Sequence, residues 1–201
     1  MSNLNIQINN LNSYKIYTIG YSILQVLFFA LLIGFSAQIK IQLPFTPVPI
    51  TLQTFFVILS GAYLGFSKGV FSNILYISAG LSGFPIFAGF GSGIIHLLGP
   101  TGGYIFGFIF ASGVAGILKN KGWTKNFTMS LLLMIFSSIV IYFIGILWLG
   151  FYLGFDKIIQ VGVIPFLPGD ILKIIIGSFI LSNKKNFSKI NLLFVKSNFP
   201  F

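Results

Sequence analysis

Two ionisable residues near the end of the chain are the first candidates for chemistry in this sequence. Asp170 and Lys173 lie in the segment LPGDILK, and their spacing of three places both side chains on one face of a helix. A charge at the centre of a membrane helix costs about 2.5–3.5 kcal/mol, and residues that carry one usually have a function. The pair therefore indicates a small-molecule binding site within an apolar segment. The alternative is an acid favoured by the helix start, beside a lysine that extends outward to the membrane surface.

The composition indicates that lipid surrounds most of this chain. Of its 201 residues, 56% are hydrophobic and 7% are charged, whereas a soluble domain has about 25% charged residues. The net charge of +10 comes from twelve lysines with no arginine. These lysines lie between apolar runs, which favours membrane topology over nucleic-acid binding. Without Cys, and with only two acids and one histidine, a metal site is implausible.

Six apolar runs are long enough to cross a bilayer, which needs about 17–25 residues. They lie at 17–38, 48–66, 69–87, 101–118, 127–150 and 165–182. With a cytoplasmic N-terminus, only Lys40 and Lys157 fall outside, and the inner side receives nine lysines: Lys15, Lys68, Lys119, Lys121, Lys125, Lys184, Lys185, Lys189 and Lys196. The sequence therefore predicts an all-α, polytopic membrane protein with six transmembrane helices and both termini cytoplasmic. Residues 1–182 would form one transmembrane domain, including a short polar segment at 1–16, and residues 183–201 a cytoplasmic basic tail.

Short polar and Gly/Pro-rich sequences interrupt these runs. Only Ser67-Lys68-Gly69 separates the second run from the third, which predicts a tight helical hairpin. Gly80, Gly83 and Pro85 predict irregular backbone at the outer end of the third run. Such backbone is tolerated at membrane depth only against protein or a water-filled cavity.

Further candidates lie at the outer ends of the predicted helices. Residues 41–53 contain three prolines in six positions, a stiff segment that could cover a pocket as a lid, with Thr51 and Gln53 at the start of the second helix. The alternative is an ordinary loop with a helix cap. The segment GPTGGY at 99–104 places a helix N-terminus where it would favour an anionic ligand group. His96 is typical of a loop or interface residue.

Ala30 and Gly34 form a small-residue pair on the first helix. Small residues four positions apart permit the close approach of another helix. Internal packing and contact with a partner subunit both remain open at this point.

Four motifs, taken in order, resemble the BioY family, the biotin-specific substrate-binding (S) components of energy-coupling-factor (ECF) vitamin transporters. The motifs are VPITLQ at 48–53, GFPIFAG at 83–89, GPTGGY at 99–104 and PGDILK at 168–173. The resemblance extends from about Gln38 to Leu181. It implies six helices with cytoplasmic ends, capture of biotin from outside and its release inside. It also implies partners, usually a transmembrane coupling subunit and two ATPases.

The resemblance also implies roles for individual residues. Asp170 and Lys173 match family residues that hydrogen-bond the ligand, and Ala30 and Gly34 resemble the motif that docks the coupling subunit, with Gly in place of the second Ala. Some relatives receive the carboxylate with an arginine around the third to fourth helix, and this chain has no arginine. The carboxylate is therefore expected at Lys173 or at the helix start Thr101–Gly103.

The expected function is biotin uptake across the cytoplasmic membrane by a protein that is not an enzyme and has no cofactor of its own. The sequence contains no GxxxxGK[ST] motif, so partner subunits would use the ATP. Phe87 and Tyr104 are candidate walls for the biotin bicycle, and the full set of substrate-binding candidates is Asp170, Lys173, Gln53, Thr51, Asn73, Phe87, Gly99 and Tyr104. The alternatives are a solitary biotin transporter, an S component for another small vitamin, a purely structural subunit and, remotely, an intramembrane enzyme with Asp170 as acid or base.

Overall fold

The computed structural model describes residues 2–183, with side chains from residue 17 onward, and it is mostly helical. In chain order this part contains α1 (Ser2–Gln38), β1 (Lys40–Ile41), β2 (Ile50–Thr51), α2 (Gln53–Leu64), α3 (Phe66–Leu81), α4 (Gly93–Leu98), α5 (Gly102–Asn120), α6 (Phe127–Leu153), α7 (Ile158–Gly162), a 3-10 helix (Ile164–Phe166) and α8 (Leu167–Ser182). The segment predicted as a polar N-terminal extension is the beginning of α1. The description ends at Asn183, so the rest of the predicted basic tail lies outside the described residues.

Four stretches of the described chain are long and apolar enough to cross a membrane. They are Tyr17–Gln38, Gly102–Asn120, Phe127–Leu153 and Ile158–Ser182, and they match the first, fourth, fifth and sixth predicted runs. The helices α2 and α3 have 12 and 16 residues. They are therefore about 18 and 24 Å long, less than the roughly 30 Å of a bilayer core. The apolar helices indicate a membrane protein, and the number of six crossings stays a prediction.

The Pro-rich segment before α2 is held in a narrow hairpin. Lys40 of β1 pairs with Thr51 of β2, and Ile41 pairs with Ile50. The Leu52 N–H also donates a hydrogen bond of 3.2 Å to the Ile39 carbonyl. Because this pairing keeps the chain extended as far as Thr51, α2 begins at Gln53 and not near residue 48, where the apolar run begins.

The turn between α2 and α3 lies earlier than the sequence predicted. Gly65, and not the 67–69 segment, breaks the helix, because it has a φ of 88° that L side chains rarely adopt. The prediction for the other end of α3 is confirmed. That helix ends at Leu81, and Gly83 follows with a φ of 97° at the start of a series of turns.

Helix α5 lies at the centre of the bundle, in contact with α2, α3 and α6. Small residues allow these backbones to approach closely, as is usual between helices in a membrane. Gly61 of α2 faces the Ser112 carbonyl of α5 so closely that an added Cβ would overlap with it, and Gly116 of α5 similarly faces the backbone of Phe66. This packing fixes the relative positions of the helix ends that carry the candidate site.

Candidate functional site

A cavity lies at the end of the bundle where α2, α5 and α8 begin and α3 ends. The space between its lining residues is about 640 Å³, a volume that includes space open to solvent. The lining residues are Val48, Pro49, Thr51, Gln53, Thr54, Ala88, His96, Thr101, Tyr104, Ile105, Phe108, Ser138, Ile141, Tyr142, Phe166, Asp170 and Lys173. The cavity therefore combines apolar and aromatic walls with one ion pair.

Asp170 and Lys173 form that ion pair inside the cavity. Pro168 suits the first turn of α8, and Asp170 lies in the same turn, where a negative charge is stabilised by the helix dipole. Lys173 lies one turn later, and its Nζ is 2.6 Å from Asp170 Oδ1. The Tyr142 hydroxyl donates a hydrogen bond of 2.5 Å to the other oxygen, Oδ2. Asp170 is thus a helix-start acid, but Lys173 points inward toward it, which contradicts the alternative of an outward-extending lysine.

Lys173 also joins α8 to the beginning of α2. Its ammonium donates to the Thr51 carbonyl at 2.7 Å and to the Thr54 hydroxyl at 3.1 Å, in addition to the Asp170 carboxylate. An ammonium has three N–H donors, so all of them are used within the protein. The side chain of Lys173 is 13% exposed and that of Asp170 is 9% exposed. The charge pair is therefore largely removed from solvent, and each oxygen of Asp170 accepts one hydrogen bond.

Three other predicted residues lie in the same cavity. Gln53 donates from Nε2 to the Tyr76 hydroxyl at 2.7 Å and accepts from the Thr51 hydroxyl at 3.3 Å. The Tyr104 hydroxyl donates to the Gly162 carbonyl at 2.8 Å, so that its ring is held against the cavity from α5. Three separate segments of the chain therefore bring Thr51, Gln53 and Tyr104 together with the ion pair.

The other three predicted residues do not line the cavity. Asn73 is fully buried between α2 and α3, where Nδ2 donates to the Ser60 hydroxyl and the Gly69 carbonyl. Phe87 is also fully buried, and its ring stacks on that of His96. Gly99 ends α4, and its carbonyl accepts a hydrogen bond from the Trp148 indole. The contact of these three residues with a ligand therefore stays a prediction.

Ala30 and Gly34 are both buried in the groove between α1 and α3. A Cβ added at Gly34 would be 3.4 Å from Ile86 Cβ, so this face of α1 already packs against the chain after α3. Of the two interpretations that the sequence left open, internal packing is therefore the one realised within the described chain, and docking of a partner at this pair stays a prediction.

Comparisons with known proteins support one family. The model of the BioY family matches residues 10–189, which is most of the chain. The chain belongs to the BioY family. One relative, a probable biotin transporter BioY of Pyrococcus horikoshii, is 45% identical over 148 residues, covering 74% of this chain and 86% of that protein. A biotin transporter BioY of Thermotoga maritima is 40% identical over 141 residues, covering 70% and 82%.

A solved structure supports the same family. A crystal structure of the S-component for biotin from an ECF-type ABC transporter superposes with a TM-score of 0.74 at 28% identity, covering 87% of this chain and 94% of that one. This BioY-family chain therefore shares its helical arrangement with that biotin S-component along most of its length.

Several residues of this BioY-family cavity were not predicted from the sequence. Tyr142 is the most important, because it hydrogen-bonds Asp170 from α6. Thr54 and Ser138 add hydroxyl groups, and Phe166 adds an aromatic wall. In the sequence, the one indication of a role for Tyr142 was its hydroxyl group within a long apolar run.

His96 was predicted as a loop or interface residue, and the structure places it in the lining of the cavity. It lies on the short helix α4, and its ring stacks on Phe87 with centroids 5.0 Å apart and planes 19° apart. Burial, followed by the nearby charge of Lys40, holds the pKa of His96 below its ordinary value. The imidazole is therefore mainly neutral at neutral pH, with one N–H donor.

Proposed function

We propose that this protein captures biotin from outside the cell as the substrate-binding S component of an ECF-type transporter. The observation that carries the proposal is the Asp170–Lys173–Tyr142 network inside the cavity of a chain that belongs to the BioY family. The named biotin transporters among its relatives and the biotin S-component with the same fold support biotin as the ligand.

The polar groups of the cavity suit the ureido ring of biotin. This ring has two N–H donors and one carbonyl acceptor. The Asp170 carboxylate offers about four acceptor sites, of which Lys173 and Tyr142 occupy two. The Thr54 hydroxyl accepts from Lys173, so its own hydrogen is available for the ureido carbonyl. We therefore assign the ureido ring to the end of the cavity where α2 and α8 begin.

The apolar lining suits the remainder of the ligand. Tyr104 of α5 and Phe166 before α8 present aromatic rings with centroids 6.5 Å apart. Phe108 and Ile141 add further apolar surface. Such walls stabilise a fused apolar bicycle by removing it from water, while the few polar groups fix its orientation.

In this proposal the chain crosses the cytoplasmic membrane six times, and residues 1–182 form one domain with both termini in the cytoplasm. Lys68, Lys119, Lys121 and Lys125 lie at the end of the bundle away from the cavity, which supports an outward-facing cavity by the positive-inside rule. The short helices α2 and α3 are continued at their outer ends by non-helical backbone beside the cavity, where such backbone is tolerated.

Energy for transport would come from other chains. Since the sequence has no nucleotide-binding GxxxxGK[ST] motif, we propose a coupling transmembrane subunit and two ATPases as partners. The chain itself would then bind and carry biotin without changing it chemically, and so would not act as an enzyme.

Equilibrium binding tests this function. The purified full-length chain in detergent is titrated with biotin and with 2-iminobiotin, in which the ureido carbonyl oxygen is replaced by an imino group. We expect tight binding of biotin, weaker binding of the analogue and recovery of the bound biotin unchanged. Folded protein that binds neither compound would contradict the proposal, and chemical conversion of biotin would instead support the intramembrane enzyme.

A further inference from the structure

The carboxylate of the proposed ligand needs a cationic or donor group that the ion pair does not supply. The three donors of Lys173 are already used by Asp170, Thr51 and Thr54. A carboxylate at Lys173 would also lie close to the Asp170 carboxylate, and like charges repel. The sequence contains no arginine that could bind a carboxylate in bidentate fashion. At the other expected position, the helix start Thr101–Gly103, the Gly102 N–H already donates to the Gly99 carbonyl at 3.0 Å, and Gly103 packs against Trp148. The carboxylate therefore requires another subsite.

Lys40 and His96 both contact the turn that follows α3. The turn is closed by a hydrogen bond of 2.9 Å from the Phe87 N–H to the Gly91 carbonyl. The Lys40 ammonium reaches over this turn so closely that a Cβ added at Gly89 would overlap with Nζ. The His96 ring packs over Gly91, where an added Cβ would likewise overlap with Nδ1. The two glycines thus make room for the lysine and the histidine over the same turn.

Lys40 and His96 border the cavity. His96 and Ala88 line it directly, and Lys40 is paired in the hairpin with Thr51, which also lines it. With the side chains from residue 17 to residue 183 considered, the Lys40 ammonium donates no hydrogen bond and forms no ion pair. Its charge is close enough to His96 to disfavour the imidazolium form. An unpaired ammonium on a flexible stem is thus available beside the cavity.

We propose that Lys40 and His96 form the subsite that receives the carboxylate of the ligand. The proposal rests on the proposed function, because it takes the ureido ring at Asp170 as given. Lys40 supplies the positive charge, and the neutral imidazole supplies one N–H donor from the cavity wall. Specificity for a ligand with a free acid, over its neutral derivatives, is then determined by the hairpin and the turn after α3. The ion pair on α8 does not determine it.

The test compares biotin with biotinamide, its neutral primary amide, on the purified full-length protein. The variants are Lys40→Met, Lys40→Arg and His96→Gln, with Lys157→Met as a control for the loss of one exposed positive charge. We expect Lys40→Met to weaken biotin binding by about tenfold. The affinity for biotinamide should stay within about twofold, because only a charged ligand loses the interaction. Lys40→Arg should retain most of the preference for biotin, and Lys157→Met should match the wild type with both ligands.

Either of two results would overturn the assignment of Lys40 and His96 and leave the proposed function intact. One is wild-type affinity for both biotin and biotinamide in both Lys40→Met and His96→Gln. The other is an equal loss for both ligands, which would indicate a structural role for the two residues. Failure of the wild-type protein to bind either ligand would overturn the proposed function as well, so the two failures are distinguishable.

Discussion

Asp170→Asn tests the link between the buried charge and the proposed ligand most directly. The substitution keeps the shape of the side chain but removes the carboxylate opposite Lys173. Breaking a fully buried ion pair costs about 3–5 kcal/mol. Here the two side chains keep 9% and 13% exposure, and an amide oxygen can still accept from the ammonium. We therefore expect a smaller loss in the free energy of unfolding, of about 1–3 kcal/mol.

The expected effect on binding is larger than that on stability. A hydrogen bond from a ureido N–H to a charged acceptor contributes about 1.5–3 kcal/mol, which corresponds to a loss in biotin affinity of about 10- to 150-fold. Calorimetric titration measures the affinity, and thermal unfolding of the same preparation measures the stability. Asp156→Asn is the matched control, because Asp156 is the other acid of the chain and is exposed in the turn after α6. Equal biotin affinities for the two variants would refute the assignment of Asp170.

Three further perturbations test neighbouring contacts. Tyr142→Phe removes only the hydroxyl that donates to Asp170; thermal unfolding should show a loss of about 1–3 kcal/mol, and an unchanged melting temperature would count against that bond. Gln38→Ala removes an amide that bonds the backbone of the turn after α3 at three positions, so calorimetry should show weaker biotin binding, whereas wild-type affinity would exclude a positioning role. Burial and Lys40 hold the pKa of His96 low, and a bound carboxylate would raise it. Biotin affinity should therefore increase from about pH 8 to about pH 5.5, and the increase should be absent in His96→Gln; equal pH profiles would contradict the subsite.

The local pattern of the sequence was sufficient to predict part of the candidate site. The spacing of Asp170 and Lys173 predicted a shared helix face, and the structure confirms it with an ion pair. Thr51, Gln53 and Tyr104 lie in short motifs next to helix starts, and all three line the same cavity. These predictions depended on helix periodicity and on local chain direction, which a sequence specifies directly.

Residues on apolar helices were harder to assign. Tyr142 lies in a run that is hydrophobic on all sides, so periodicity does not indicate which face meets the cavity. Phe87 lies in a recognisable motif, yet its ring is turned beneath His96 and away from the cavity lining. In both cases the direction of one side chain depends on packing against distant segments.

The sequence by itself determined that the chain is built from apolar helices suited to a membrane, that it resembles the BioY family, and that Asp170 is its unusual charge. These properties follow from composition, run length and motifs, all of which are local along the chain. Only the tertiary structure decided that Tyr142 hydrogen-bonds Asp170, that all donors of Lys173 are used, and that Lys40 lies beside His96. Apart from the bond between Lys173 and Asp170, these contacts join residues 28 to 122 positions apart. They therefore depend on how the helices and the hairpin pack, which no local pattern specifies.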